Sequence, residues 1–129
     1  MNSDGVDQDV EDLAYRVIGA AIEVHAEIGP GFLESIYHNA LAYELEQRGI
    51  AYQREEKVVV VFKEQVVGEG RIDLLVDQKL VVELKTVEAV TDIHRAQVSA
   101  CLKASGLRLG LLLNFNTAVM RDGIKRVIR

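Results

Sequence analysis

The chain has 129 residues, of which 49% are apolar and 27% are charged, so it suits one globular domain with a single core. Its single cysteine excludes an internal disulfide and any site that needs several cysteines, and its formal net charge of −5 restricts a nucleic-acid contact to a local basic patch. Since no apolar run can span a bilayer and no signal-peptide pattern opens the chain, we expect a cytoplasmic protein with no membrane partner.

Two helices are predicted in the first part of the chain, after a short tail. Residues 1–9 are polar and acidic and are expected to be flexible, so the domain is predicted to span 10–129. Apolar residues recur at three- and four-residue spacings over 10–28 and again over 32–48, which predicts two amphipathic helices. The Gly-Pro-Gly segment at 29–31 separates them, because the residue before a proline disfavours helix.

The second part of the chain predicts strands interrupted by one helix. Residues 50–62 predict a strand, residues 66–76 and 80–86 predict a hairpin, and residues 107–115 and 123–129 predict two further strands. A helix is expected from residue 91 or 92 to residue 105. Its inward side is predicted to contain Ile93, Ala96, Ala100, Cys101 and Ala104, with Val98 marginally on it. The resulting order α–α–β–β–β–α–β–β indicates an α/β fold.

Three charged residues, Asp73, Glu83 and Lys85, interrupt the apolar runs of the predicted hairpin. The register that joins the all-apolar faces contains three pairs: Ile72 with Leu84, Leu74 with Val82, and Val76 with Leu80. This register requires a three-residue connection over 77–79 or a bulge. It also places Asp73 across from Glu83, with Lys85 one step along on the same face.

Two neighbouring carboxylates in a hairpin predict a divalent cation between them, because the cation removes their mutual repulsion. Hydrolysis of a phosphodiester at neutral pH needs a hard cation, and Mg²⁺ is usually held by one or two carboxylates. Asp73 and Glu83 would hold Mg²⁺ or Mn²⁺, and the ammonium group of Lys85 would orient the attacking water or stabilise developing charge. The alternative is an ion-pair network in which Lys85 neutralises one carboxylate and no metal binds.

The spacing of these three residues resembles the site of PD-(D/E)xK nucleases, and the wider pattern resembles the GxxExxY family of that superfamily. The matching segments are GPGFLESIY at 29–37, GEGRIDLLV at 68–76, VVELKTVE at 81–88, HRAQ at 94–97 and GLRLGLLLNF at 106–115. The resemblance implies a restriction-endonuclease-like αβββαβ core with a mixed sheet flanked by helices, plus an extra N-terminal helix. It also implies that five side chains converge on the site: Glu34, Asp73, Glu83, Lys85 and Gln97.

By resemblance, Glu34 is a further acidic group at the metal and the protein is a nuclease that acts on DNA or RNA. The alternative function is a catalytically silent module that binds nucleic acid or a protein partner, and a homodimer that completes the substrate groove is a third possibility. Glu34 also has a structural alternative, since it could form a capping box if Gly31 is the N-cap. Gln97 is equally compatible with a site position and with a solvent-facing one.

The remaining candidates also have structural alternatives. Tyr37 would either bond Glu34 or fill the core, and His94 is expected at the surface or behind the ligands. Predicted phosphate contacts, whose alternative is a solvated rim, are Arg108, Arg121, Lys125 and Arg126. The other two histidines, His25 and His38, are expected to be exposed or at the boundary of their helices, and Cys101 is expected to be a small buried apolar residue.

Overall fold

The structure, a computed structural model, describes residues 5–129 and contains one mixed five-stranded sheet with helices on both faces. In chain order the elements are α1 (Gln8–Ile28), α2 (Glu34–Gln47), β1 (Tyr52–Phe62), β2 (Gln65–Val76), β3 (Leu80–Lys85), α3 (Asp92–Ser105), β4 (Leu109–Asn114), a 3₁₀ turn (Met120–Gly123) and β5 (Ile124–Ile128). The strands lie in the order β1-β2-β3-β4-β5, and only β3 and β4 are parallel. The predicted α/β fold, with an αβββαβ core and an extra N-terminal helix, is confirmed.

The N-terminal segment packs against the rest of the chain from an earlier point than the sequence predicts. Residues 1–4 of the predicted flexible tail lie outside the described residues. Within the described part, Val6 is fully buried and α1 begins at Gln8 rather than at residue 10. Asp9 and Glu11 lie in the first turn of α1, where acidic side chains stabilise the positive end of the helix dipole.

Two apolar layers cover the sheet, one on each face. The larger layer joins α1 and α2 to alternate side chains of the strands, among them Leu74, Val76, Leu80, Val82 and Leu84. The smaller layer joins α3 to the opposite face and includes Ile72, Leu75, Val81, Val98, Leu102 and Leu112. Because neighbouring residues of a strand point to opposite faces, each strand contributes to both layers.

The predicted inward face of α3 is wrong except for Val98, which the sequence pattern places on it only marginally. Ile93 is 64% exposed, and the alanines at 96, 100 and 104 are exposed as well, whereas Val98 and Leu102 are fully buried. The larger side chains bury more apolar area than alanines do. They also fit closely over β4, because a Cβ at Gly110 would lie only 2.5 Å from Val98 Cγ1. The helix is therefore rotated toward its two branched residues, and Cys101 is half-buried at the edge of that face.

The predicted hairpin register is confirmed next to the turn and wrong beyond it. Leu74 pairs with Val82 and Val76 pairs with Leu80, so the connection over 77–79 has the predicted three residues. The predicted pair of Ile72 with Leu84 is absent from the described ladder, and Ile72 packs in the α3 layer whereas Leu74 packs on the α1 and α2 side. Two residues of a regular strand that are separated by one position share a face. The backbone of β2 therefore departs from regular geometry at the residue between them.

Among residues 5–129, no helix combines the length and the apolar character that crossing a membrane requires.

Candidate metal centre

Asp73 and Glu83 lie where β2 and β3 separate, and their carboxylates take over the hydrogen bonds between the two strands. The backbone N–H of Asp73 donates to Glu83 Oε1 at 3.2 Å, and the backbone N–H of Leu84 donates to Asp73 Oδ2 at 2.9 Å. These bonds replace the ladder beyond the Leu74–Val82 pair, which is the reason why the predicted pairing of Ile72 fails. Each carboxylate is thus anchored by the backbone of the opposite strand and keeps a second oxygen for a further interaction.

Glu83 is a buried acid beside a second acid. Only 8% of its surface is exposed. Burial, followed by the nearby charge of Asp73 and a side-chain hydrogen bond with it, raises the pKa of Glu83 to about 8, against smaller lowering effects of the Asp73 N–H and the Lys85 ammonium. Glu83 therefore carries a proton near neutral pH unless a stronger positive charge takes the place of that proton.

Glu34 is the first residue of α2 and faces the same cluster. Leu33 occupies the N-cap position and no side chain caps the helix, so the predicted capping-box alternative for Glu34 is wrong. Burial and the Asp73 carboxylate raise the pKa of Glu34, while the charges of Lys85 and His38 lower it. These electrostatic neighbours show that α2 brings a third carboxylate toward Asp73.

Lys85, the last residue of β3, is half-buried and lies among these acids. Its positive charge lowers the pKa of both Glu83 and Glu34. One ammonium group cannot neutralise three carboxylates, so the ion-pair alternative leaves an excess of negative charge in a partly buried place. The donor set is hard oxygen, which fits a divalent cation.

His38 and Glu55 join this cluster, and sequence reasoning missed both. One ligand atom from each of His38, Glu55 and Asp73 lies within 4.8 Å of the others, so the three residues could hold a metal ion. The expectation that His38 is exposed or at a boundary is wrong, because only 7% of its side chain is exposed. Its position one helical turn after Glu34 is a signal that could have found it. No sequence signal marks Glu55, since its placement depends on an irregular backbone with φ +54°.

His25 is also buried, contrary to expectation, because it supports a loop. Its Nε2 donates to the carbonyl oxygen of Thr117 at 2.7 Å, and its ring lies near that of Phe115. Burial of an imidazole is tolerated here since the ring nitrogen has a hydrogen-bond partner. His25 therefore has a structural role in the fold.

Tyr37 does not bond Glu34 in the structure. It is fully buried and stacks on Phe115 with ring centroids 4.8 Å apart. Its hydroxyl donates to the carbonyl oxygen of Gly29 at 2.6 Å and accepts the backbone N–H of Phe32 at 3.1 Å. Tyr37 therefore fills the core, as its structural alternative predicted, and also fixes the segment from which α2 and Glu34 start.

The two candidate site residues on α3, His94 and Gln97, lie outside its buried face. His94 is half-buried and completes a capping box with Thr91, whose backbone N–H donates to His94 Nδ1 at 3.0 Å. Gln97 is exposed and lies one turn before Cys101. The structure thus gives His94 a capping role and leaves the side chain of Gln97 on the solvent side of α3.

Cys101 connects α3 to the acidic pair. Burial, together with the carboxylates of Glu83 and Asp73, raises the pKa of its thiol to about 11, and its Sγ lies 3.6 Å from the carbonyl oxygen of Arg71. A neutral thiol is a poor nucleophile and a poor metal ligand. Cys101 is thus a neighbour of the acidic pair with no chemical part in it.

The basic residues of the C-terminal part are spread over both faces of the sheet. Arg126 is on the α1 side, where its guanidinium donates to both carboxylate oxygens of Glu11 at 2.7 and 3.0 Å. Lys125 pairs with Leu112, whose side chain is in the α3 layer, so Lys125 is on the α3 face. Arg108 and Arg121 are exposed. Of the four predicted phosphate contacts, Lys125 is the one that the cross-strand register places on the face toward which Glu83 points.

A model of the PD-(D/E)XK nuclease superfamily matches residues 11–127, which is nearly the whole chain and includes every acidic residue of the cluster. Comparison with curated proteins and comparison with solved structures give no match. The family assignment therefore depends on the family model, and the observed order of helices and strands agrees with it.

Proposed function

The chain belongs to the PD-(D/E)XK nuclease superfamily, and from that premise we propose that it is a divalent-cation-dependent nuclease that hydrolyses phosphodiester bonds of nucleic acid. The observation that carries this proposal is the anchored pair of Asp73 and Glu83, in which two carboxylates face each other and the single ammonium group of Lys85 cannot neutralise both. The segments at 29–37 and 81–88 further support placement in the GxxExxY branch. The expectation of one domain in the cytoplasm, predicted over 10–129, stays part of the proposal, with the start of the domain moved to Val6 because that residue is buried in the core.

The residues at the site fit Mg²⁺ or Mn²⁺. Asp73 and Glu83 would hold the cation, with Glu34 as a third carboxylate from α2, and hard oxygen donors are the ligands that these ions prefer. The raised pKa of Glu83 supports the fit, because a proton occupies a position where a stronger positive charge would be stabilised. When bound, the cation supplies charge neutralisation for the phosphate and lowers the pKa of a water molecule.

The other side chains of the chain would position the reactants. The ammonium group of Lys85 lies beside the acids and would hold the attacking water or stabilise the charge that develops on the phosphate. Gln97 is exposed one turn before Cys101, which neighbours the acidic pair, and would line the site from its solvent side. Tyr37, through its bonds to Gly29 and Phe32, keeps the start of α2 in one position and thereby orients Glu34.

Nucleic acid is the substrate class in this proposal, and both DNA and RNA are compatible with it. Lys125 is the best-placed phosphate contact, because Glu83, Leu112 and Lys125 are consecutive cross-strand neighbours on β3, β4 and β5. Neighbouring strands are about 4.8 Å apart, so the backbone of Lys125 lies about 10 Å from that of Glu83. Arg126 is engaged by Glu11 and is not included. The homodimer stays a prediction.

The proposal is tested by measuring cleavage of single- and double-stranded DNA and RNA by the purified protein. We expect cleavage with Mg²⁺ or Mn²⁺, none with a chelator, and recovery when the cation is restored. The melting temperature should rise when either cation is added, because a ligand that binds only the folded state stabilises it. A cation-dependent rise without cleavage would support the silent-module alternative, and the absence of both effects would contradict the metal site.

Replacement of Lys85 by Met should slow cleavage about 100-fold, the usual contribution of one charged group in an active site. Cation binding should stay as tight or become tighter, because a positive charge near the carboxylates is removed. Lys79→Met is the matched control, since Lys79 is an exposed lysine paired with Asp9 outside the acidic cluster. Rates and calorimetric cation affinities of both variants are compared with those of the wild type. An unchanged rate for Lys85→Met would remove Lys85 from the mechanism.

A further inference from the structure

We infer that His38 and Glu55 form, with Asp73, a second cation position that selects a first-row transition-metal dication over Mg²⁺. The inference deepens the proposed function in that the two positions share Asp73, and it is defined by cation binding rather than by cleavage. Its basis is the close approach of three ligand atoms, each within 4.8 Å of the others, on three different elements.

The first independent observation is the state of His38. Its side chain is 7% exposed, and neither Nδ1 nor Nε2 has a hydrogen-bond partner. Nε2 lies 3.8 Å from Glu55 Oε1, which is beyond hydrogen-bond distance. A buried imidazole without a partner destabilises the fold, since both ring nitrogens have lost their contact with water. A cation between His38 and Glu55 would remove that penalty by accepting the free electron pair of one nitrogen.

The second observation is that Glu55 is aimed at His38 by two structural features. Its backbone has φ +54°, a left-handed conformation that is unfavourable for a residue other than glycine. Its Oε2 accepts Arg71 Nη1 at 3.1 Å, so Oε1 is the oxygen directed to His38. Backbone strain at a residue whose carboxylate is also held in one orientation by a hydrogen bond is typical of a functional position.

Asp73, the ligand that the two positions share, uses one carboxylate oxygen for a backbone hydrogen bond and offers the other to a cation. Its Oδ2 accepts the backbone N–H of Leu84, which fixes the carboxylate. Two ligands of one ion with bonds near 2.1 Å are about 3–4 Å apart. The observed separations therefore need only a small closing movement of the exposed Glu55 side chain.

The chemical composition of this position sets its selectivity. Mg²⁺ strongly prefers oxygen and sheds its waters reluctantly, whereas an imidazole nitrogen suits transition-metal dications. A set of one nitrogen and two carboxylates thus favours Mn²⁺, Co²⁺ or Zn²⁺. The position of Asp73 and Glu83 offers only oxygen and has no such preference. The two positions can therefore be filled separately.

The test uses Mn²⁺ in a large excess of Mg²⁺, with the full chain and no nucleic acid. Mg²⁺ occupies the all-oxygen position, and Mn²⁺ bound elsewhere is measured by calorimetry and by pulsed electron paramagnetic resonance. We expect a ¹⁴N coupling from the imidazole in the wild type. In His38→Leu the coupling should disappear and the Mn²⁺ affinity should fall at least about tenfold, because one of three ligands is lost. The metal-free melting temperature of His38→Leu should equal or exceed that of the wild type.

Glu55→Gln and Glu56→Gln provide a matched pair at neighbouring positions of β1. Glu55→Gln should weaken Mn²⁺ binding, and Glu56→Gln should leave it unchanged. This pair keeps the test valid if His38→Leu fails to fold, since both side chains are on the accessible part of the strand. A wild type without ¹⁴N coupling, or a coupling that survives in His38→Leu, would overturn the inference.

The outcomes also separate this inference from the nuclease proposal. Mn²⁺ binding with ¹⁴N coupling in a protein that cuts no nucleic acid would support the second position and contradict the nuclease. Mg²⁺-dependent cleavage that persists in His38→Leu, together with an absent ¹⁴N coupling in the wild type, would contradict the second position alone.

Discussion

Asp73→Asn should lower the rate of nucleic-acid cleavage about 1000-fold or more. Asp73 is the residue shared by both proposed cation positions, so its neutralisation weakens the binding of every cation that the site can hold. A metal ion lowers the activation free energy of such reactions by several kcal/mol, and about 1.4 kcal/mol corresponds to a tenfold change in rate. The variant should still fold, because the amide oxygen of Asn can accept the N–H of Leu84 as the carboxylate does.

Asp77→Asn is the control for this substitution. Asp77 is an exposed residue of the β2–β3 turn with φ +49°, a conformation that Asn tolerates well. It should therefore leave both the rate and the cation-dependent rise in melting temperature unchanged. Cleavage by Asp73→Asn at a rate within about tenfold of the wild type would mean that the activity does not depend on this cation site.

The sequence predicted the part of the hairpin in which side-chain alternation alone decides the register. Leu74 and Val76 pair as expected, because only one register buries their face and keeps charge out of it. The failure begins at Ile72, because Asp73 and Glu83 accept backbone N–H groups across the strands and end the ladder. The pattern of apolar residues in a sequence does not show where a side chain will replace a backbone group as the hydrogen-bond partner of a neighbouring strand.

The prediction of which face of α3 points inward was wrong for a related reason. Alanines at helical spacing and the pair of Val98 and Leu102 define two competing inward faces in the sequence. The choice between them depends on Gly110, a residue of β4 that allows Val98 to approach the sheet. Local patterns do not contain the contact between α3 and β4, so the prediction placed Val98 only marginally on the inward face and left Leu102 out of it.

The candidate site was predictable where a residue type carries the chemistry and a family pattern gives its partners. Resemblance linked Glu34 to Asp73 across distant segments, and the structure brings them into electrostatic contact. Glu55 could not be found in this way, because its direction follows from a left-handed backbone within β1 and from Arg71 on the neighbouring strand. The departures from regular strand geometry at Glu55 and near Asp73 lie at the same level of the sheet, next to each other on β1 and β2. Irregularity of this kind is expected where a fold holds charge for a purpose.

Glu83→Gln should stabilise the cation-free protein at pH 8 and lower the cleavage rate about 1000-fold. In the folded state the pKa of Glu83 is raised to about 8, whereas the unfolded chain releases this proton near 4.5. A raised folded-state pKa adds stability that is fully present below the unfolded pKa and is lost as the pH rises through the folded pKa. The wild type without a cation should therefore lose on the order of 4 kcal/mol of unfolding free energy between about pH 4.5 and pH 8.

The glutamine resembles the protonated acid, and its carbonyl oxygen can still accept the N–H of Asp73. It should therefore lack this part of the pH dependence. The measurement is urea unfolding of both proteins at pH 5 and pH 8 in a chelator. The decisive quantity is the difference between them, because carboxylates outside the acidic cluster affect both proteins equally. Parallel pH dependences of the two proteins would contradict the raised pKa of Glu83 in the folded state. Mn²⁺ should reverse the order of stability at pH 8, since only the wild type offers a carboxylate that gains from losing its proton to a bound cation. Glu83 would then destabilise the cation-free protein at pH 8 and stabilise the cation-bound protein, as expected of a carboxylate whose role is to bind a cation.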